Sequence, residues 1–226
     1  MPHILIDGDI IGYRVGFAAE DEPEKIAIAR TATFLETMLW EDLETDTYQG
    51  YITGPKNFRY EIAVTAPYKG NRIAAKPKHL PLIRDYLVSA WDFKISEGEE
   101  ADDCIAIDHV ANNYESIIAS IDKDFMQLKG KHWNFVKREM TEVTEEEALI
   151  NFYMQVLTGD RTDNIIGIKG IGPIKAKQRL AGCQSAAEMY SACVEAYGSE
   201  ERVIENARLL WLRREPNEIW QAPKGL

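Results

Sequence analysis

An α/β fold, a mostly parallel sheet flanked by helices and followed by a helical subdomain, is predicted by three features of the chain. Short apolar runs alternate with helix-period stretches as far as about residue 143, the pattern of parallel strands joined by helical crossovers. Carboxylate pairs stand directly after two of those runs, in Asp7-Gly8-Asp9 and Asp122-Lys123-Asp124, and sites in open α/β sheets gather beyond the carboxyl ends of the strands. From residue 144 onward strand signals stop and helix-capping boxes take over.

His3 to Ile6 reads as the first strand, and a long helical pattern follows from about Lys25 to Leu43. Tyr48 to Thr53 is a second strand. A basic, Pro-containing loop surrounds Lys69 to Lys78, after which Leu80 to Trp91 has helical periodicity and Phe93 to Ile95 is a short strand. Glu100 to Asn112 reads as a helix, Ile117 to Ile121 as an apolar strand and His132 to Val136 as a further one. Thr144 with Glu147 caps a helix through about Leu157, Ser185 with Glu188 caps one through Tyr197, and a last helix covers Glu200 to Arg214. The expected division is an α/β core over 1–143 and a helical subdomain over 144–226. No Pro/Gly-rich spacer separates them, so they are expected to pack together.

With 226 residues and 45% hydrophobic content the chain can bury a real core. Three cysteines, Cys104, Cys183 and Cys193, are odd in number and lack CxxC spacing, which disfavours a disulfide framework or thiolate zinc site and fits a reducing cytoplasm. No run of about 18 apolar residues suggests a membrane span. A net charge of −11 argues against non-specific coating of nucleic acid, but the charge is uneven. Residues 20–46 hold nine acids against Lys25 and Arg30, whereas residues 56–84 hold seven cations against Glu61 alone.

Four acidic clusters fall where strands end or helices begin: Asp7 and Asp9; Glu99, Glu100, Asp102 and Asp103; Asp122 and Asp124; Asp160 and Asp163. Any one of them has an ordinary explanation as a turn or helix cap. Four together call for a counter-ion, and hard oxygen donors favour Mg²⁺ or Mn²⁺; two such ions about 4 Å apart can activate water and stabilise the leaving oxygen of a phosphodiester. The last cluster runs into Gly167-Ile168-Lys169-Gly170-Ile171-Gly172-Pro173. There Gly170 and Gly172 would let backbone approach a phosphate, the next helix would aim free N–H groups at it, and Lys169, Lys175, Lys177 and Arg179 surround the turn. A solvated helix-turn-helix accounts for these glycines equally well. His3, His79, His109 and His132 are scattered and read as structural or surface residues, and Trp211 and Trp220 as packing residues.

Taken in order, these segments resemble the 5′ nuclease family, which includes flap endonucleases, phage 5′–3′ exonucleases and the nuclease domains of bacterial DNA polymerase I. The resemblance spans about residues 3 to 180. Ile4-Leu5-Ile6-Asp7-Gly8-Asp9 is similar to its first metal-binding strand, Tyr68-Lys69-Gly70-Asn71-Arg72 to the basic motif at the base of its helical arch, and Glu99-Glu100-Ala101-Asp102-Asp103 to its E-A-D-D motif. Ser120-Ile121-Asp122-Lys123-Asp124 resembles S-x-D-x-D, Gly159 to Asn164 resembles G-D-x-x-D-N, and Gly167 to Ala176 resembles the family's helix-three-turn-helix.

The resemblance implies a PIN-like core and a metal-dependent 5′–3′ exonuclease or structure-specific flap endonuclease acting on DNA near 5′ ends and junctions. It implies Asp7, Glu100, Asp102 and Asp103 for a first metal region and Asp122, Asp124, Asp160 and Asp163 for a second. Lys69 would stabilise transition-state charge and Arg72 would steer the 5′ strand. Lys169, Gly170, Gly172, Lys175 and Lys177 would contact duplex DNA, with a K⁺ ion at the turn in some members. A monomer in a bacterial or phage-infected cytoplasm, without membrane attachment, and an RNA/DNA hybrid as a further substrate complete the expectation. Two departures stand out. Where the family carries a further Asp after the second strand this chain has Thr53-Gly54-Pro55, and Asp9 is the expected substitute. The interval from Lys69 to Glu100 is short for a full arch, with Pro77 and Pro81 interrupting helix formation, which leaves threading of a 5′ end open. The rival readings are a haloacid-dehalogenase-like phosphatase, on the D-x-D of Asp7 and Asp9, and a DNA-binding module with a weakened site.

Overall fold

The computed structural model describes residues 3–224. In chain order the elements are β1 (Ile4–Asp7), α1 (Gly8–Ala18), α2 (Glu24–Glu36) continuing into a π-helical turn (Thr37–Asp42), β2 (Tyr48–Ile52), α3 (Arg59–Ile62), α4 (Leu80–Trp91), β3 (Lys94–Ile95), α5 (Ala101–Ala111) and β4 (Ile117–Ala119). A 3₁₀ turn (Lys123–Gln127) follows, then β5 (Gly130–Asn134), β6 (Glu139–Val143), α6 (Glu145–Thr158), β7 (Gly159–Asp160), β8 (Ile165–Ile166), α7 (Pro173–Leu180), α8 (Ala186–Tyr197) and α9 (Glu200–Leu210). The chain forms two compact units. One takes in the described chain up to Asn57 with Ala74–Phe125 and Gly130–Glu142; the other takes in Phe58–Ile73, Met126–Lys129 and the chain from Val143 onward.

The first unit is built on a six-stranded sheet of order β3-β2-β1-β4-β5-β6. Pairing is parallel from β3 through β5, with Ile4 opposite both Tyr48 and Ile117, Tyr51 opposite Lys94 and Ile117 opposite Lys131. All four residues of β1 are buried, as expected of a central strand covered on both faces. Ile4, Ile6, Leu35, Leu39, Leu87 and Phe93 belong to its core.

Helix α1 escapes sequence reading because Gly8, Gly12 and Gly16 look like helix breakers. In the fold they form a close-packing face: a Cβ at Gly16 would stand 2.6 Å from Pro77 Cβ. The π-helical turn ends the long pattern expected to Leu43, and β5 stops at Asn134 rather than Val136. There the Asn134 side chain accepts from the amides of Val136 and Lys137 and turns the chain into β6. Pro81 lies in the first turn of α4, where a missing N–H costs nothing, and no helix forms over residues 63–79.

In the second unit α6 packs against α7, α8 and α9 around Phe152, Val156, Leu157, Leu180, Cys193 and Leu210. Both predicted capping side chains are in place, Thr144 accepting from Glu147 N and Ser185 from Glu188 N. Helix α9 stops at Leu210, and buried Arg59 donates to the carbonyls of Leu209 and Trp211 at 2.8 and 2.9 Å, satisfying groups that a helix end leaves open. Trp220 is buried, and Trp211 sits edge-on to Phe152. The cysteines are free, and no described helix is long and apolar enough to cross a membrane.

Candidate functional site

Two of the four carboxylate clusters stand at the carboxyl ends of the central strands. Asp7 ends β1 and caps α1, accepting from Ile10 N at 3.1 Å. Its other oxygen accepts from Ser120 Oγ at 2.7 Å, and the same hydroxyl accepts from Asp122 N at 3.0 Å. Ser120 therefore ties the end of β1 to the residues after β4, a role visible only once the strands are known to be neighbours. Burial, and after it the charges of Asp9 and Asp122, pushes the Asp7 carboxyl up to about 7, against the opposing bonds from Ser120 and Ile10. Asp122 accepts from Asp124 N at 2.9 Å, and Asp124 has Lys123 Nζ at 3.6 Å.

Glu100 and Asp103 form a capping box at the start of α5, with Glu100 N donating to Asp103 at 3.1 Å. Asp102 accepts from Asp103 N at 3.2 Å. Both box residues are buried. Asp9 is placed differently: it accepts from Arg84 Nη1 at 2.7 Å and from Thr53 N at 3.0 Å. Among the described residues no three His, Cys, Asp or Glu side chains are drawn into a closed metal cage. The donor chemistry nonetheless suits a hard cation: Asp7 is an oxygen donor held in low dielectric with like charges beside it, the situation a divalent ion relieves.

In the second unit Asp163 is the hub. Its carboxylate accepts from Tyr68 Oη at 2.8 Å and from Arg72 Nη2 at 2.6 Å, with Lys69 Nζ at 3.8 Å. Backbone bonds match: Lys69 N donates to Asp163 O, Asn71 Nδ2 to Arg161 O and Asn164 Nδ2 to Pro67 O. The Pro67–Arg72 and Asp160–Asn164 loops are thus one unit, with buried Asp160 shaping the second by accepting from the amides of Thr162 and Asp163. Lys69 holds a left-handed backbone, φ +53°, a strained conformation for a residue with a Cβ.

The glycine turn is open. Gly170 has φ +84°, and a Cβ at Gly170 or Gly172 would meet nothing within 4 Å. Gly172 caps α7 with Pro173 in its first turn. Lys175 Nζ folds back onto the Gly170 carbonyl at 3.0 Å, and Arg179 pairs with Glu195 at 3.4 Å. His79, His109 and His132 are buried and lie outside these clusters. A cavity of about 450 Å³ on the first unit, floored by Phe34, Met38 and Phe135, contains none of the predicted residues.

The description 5′–3′ exonuclease, N-terminal resolvase-like domain, matches residues 2–154. Over 208 residues the chain is 31% identical to the 5′–3′ exonuclease of Mycoplasma genitalium, covering 78% of this chain and 70% of that protein. Over 202 residues it is 27% identical to DNA polymerase I of Bacillus caldotenax, covering 78% of this chain but only 23% of the polymerase. Its fold is similar to the crystal structure of the bacteriophage T5 D15 flap endonuclease in a pseudo-enzyme–product complex with DNA and metal ions. The TM-score is 0.72 and the identity 18%, over 93% of this chain and 89% of that one. The match over residues 2–154 takes in more than half of the chain, and the chain belongs to the 5′–3′ exonuclease family.

Proposed function

We propose that the chain is a divalent-metal-dependent 5′–3′ exonuclease and structure-specific flap endonuclease that hydrolyses DNA phosphodiester bonds near 5′ ends and junctions. The observation that carries this reading is Asp7, buried among carboxylates at the end of the central strand with its pKa raised to about 7, in a family of nucleases. Asp7, Glu100, Asp102, Asp103, Asp122 and Asp124 are the residues of the first unit that would hold the ions. Mg²⁺ or Mn²⁺ in two positions suits this all-oxygen set, and would supply an activated water and charge opposite the leaving oxygen.

Asp160 and Asp163 are the candidate ligands of the second unit. Asp163 has a second task there, since its bonds to Tyr68 and Arg72 aim the cationic loop. The Lys69 ammonium, one-sixth exposed, would stabilise charge growing on the phosphoryl oxygens. Arg72, about half exposed, would take a neighbouring phosphate of the 5′ strand. Away from the chemistry, Lys169, Lys175, Lys177 and the open backbone at Gly170 and Gly172 would grip duplex phosphates. A K⁺ ion at that turn would compete with Lys175 for the Gly170 carbonyl.

The test is cleavage of end-labelled 5′-flap, nicked, single-stranded and RNA/DNA hybrid substrates with and without Mg²⁺, beside a small phosphomonoester. Metal-dependent release of short 5′ products supports the reading. Hydrolysis confined to the phosphomonoester, or cleavage indifferent to chelator, overturns it.

A further inference from the structure

Both oxygens of Asp9 are already engaged. Oδ1 accepts from Arg84 Nη1 at 2.7 Å and Oδ2 from the Thr53 amide at 3.0 Å. Arg84 Nη2 donates to the Thr53 carbonyl at 2.6 Å, so carboxylate, guanidinium and the peptide groups of Thr53 close a ring. The Thr53 hydroxyl extends it, accepting from the amide of Ala101, the first residue of α5, at 2.9 Å. Four parts of the first unit meet here: the start of α1, the body of α4, the residue after β2 and the first turn of α5, which carries Asp102 and Asp103 and follows directly on Glu100. The pair is well shielded, with Asp9 26% and Arg84 29% exposed.

A guanidinium is charged at every relevant pH, and its fork can bridge two acceptors, which an ammonium does less well. Asp9 stands two residues after Asp7, and the cation paired with it is the Arg84 side chain.

We propose that Arg84 is a resident cation of the carboxylate cluster: it withdraws Asp9 from the metal-binding set, and the Asp9–Arg84–Thr53 ring positions the first turn of α5. This rests on the reading that the remaining carboxylates hold divalent ions. Asp9 and Arg84 are positioning residues, and Asp9 does not substitute for a metal ligand at Thr53-Gly54.

The experiment titrates Mn²⁺ into the purified full chain without substrate and follows melting in metal-free buffer. Asp9→Asn is expected to bind the same number of ions as wild type, with Kd within about threefold, while melting lower; loss of an ion, or weakening of about tenfold or more, overturns the proposal. Arg84→Gln uncovers the Asp9 charge, so it should bind Mn²⁺ several-fold tighter or take up one further ion. Unchanged or weaker binding by that variant also overturns it. Arg84→Lys keeps the charge but not the bridge; it should match wild type in ion number and melt between wild type and Arg84→Gln, and it carries the test if Arg84→Gln does not fold. In the melting cycle the Asp9→Asn/Arg84→Gln double variant should melt no lower than the worse single variant, whereas additive losses refute the ring. If wild type takes up no Mn²⁺, the metal reading falls and this metal-free cycle decides the ring by itself.

Discussion

Asp7, the first of the proposed metal ligands, is a buried carboxylate that costs the folded protein stability. Burial and the charges of Asp9 and Asp122 raise its pKa from 3.8 to about 7. The folded state therefore holds the proton more tightly than the unfolded chain, and stability falls as pH climbs from about 4 through about 7. Asp7→Asn keeps a good helix cap and removes the buried charge. At pH 8 without metal it should melt higher than wild type by at least about 2–4 °C, the shift that ~1 kcal/mol gives in a chain of this size. Mg²⁺ should raise the melting point of wild type but not of the variant, and Mg²⁺-dependent cleavage should be lost; a variant that melts lower at pH 8 and still responds to Mg²⁺ contradicts the assignment. Lys69 makes a parallel case. Its φ of +53° costs about 1–2 kcal/mol in a residue with a Cβ, so Lys69→Gly should melt no lower than wild type while kcat falls about 10²-fold or more. Asp163→Asn should lower kcat at least as far, because it removes a proposed ligand together with the carboxylate that pairs with Lys69 and Arg72. Equal turnover in wild type and Lys69→Gly would remove Lys69 from the mechanism.

At the scale of elements, most of the fold was legible because pattern and local chemistry agreed. The helix at 80–91 has an apolar stripe and a proline in its first turn, and the helices after Thr144 and Ser185 carry their own caps. What could not be read depended on neighbours distant in sequence. Helix α1 contains the glycines that usually argue against a helix, and only the approach of Pro77 explains Gly16. The short α3 is held to the end of α9 by Arg59, 150 residues away. The site divides in the same way. The acidic pairs at strand ends, with Ser120 beside one of them, were visible from their spacing, whereas the bond by which Ser120 links the two strand ends and the pairing of Arg84 with Asp9 were not, since both join residues distant in sequence. The glycines of α1 and of the turn before α7 should consequently behave in opposite ways. Gly16→Ala places a Cβ 2.6 Å from Pro77 Cβ and should cost about 1–3 kcal/mol. Gly172→Ala, with open space and an extended backbone at φ −98°, should change stability by less than about 0.5 kcal/mol yet weaken duplex binding, because the new methyl stands where a phosphate would approach. Urea melts beside DNA titrations measure both, and unaltered DNA affinity in Gly172→Ala would relocate the contact.

For the molecule as a whole the question is how a chain of net charge −11 binds a polyanion. Summed charge opposes the encounter, and screening limits that opposition to about 8–10 Å at ordinary ionic strength, so the charges that matter are those close to the bound DNA. On the proposed reading the metal-binding carboxylates would be such charges, and divalent ions would reverse their sign locally. Metal should then act on binding as well as on hydrolysis. Ca²⁺, which takes the same oxygen donors, should tighten the Kd for a 5′-flap duplex by about tenfold, or ~1.4 kcal/mol, relative to chelator at fixed monovalent salt. The Asp7→Asn/Asp122→Asn pair should recover part of that gain without any metal while remaining inactive. A grip that lies elsewhere predicts a different dependence. Reversing Lys175 and Lys177 to Glu should lower the slope of log Kd against log salt by about one to two phosphate contacts, at roughly 0.9 per contact, and leave the Ca²⁺ enhancement in place. The two effects are separable because one adds positive charge at the carboxylates and the other removes it from α7. A Kd that is the same in Ca²⁺ and in chelator would mean that the carboxylates lie too far from the bound strand to oppose it, and would confine any role of the metal to hydrolysis.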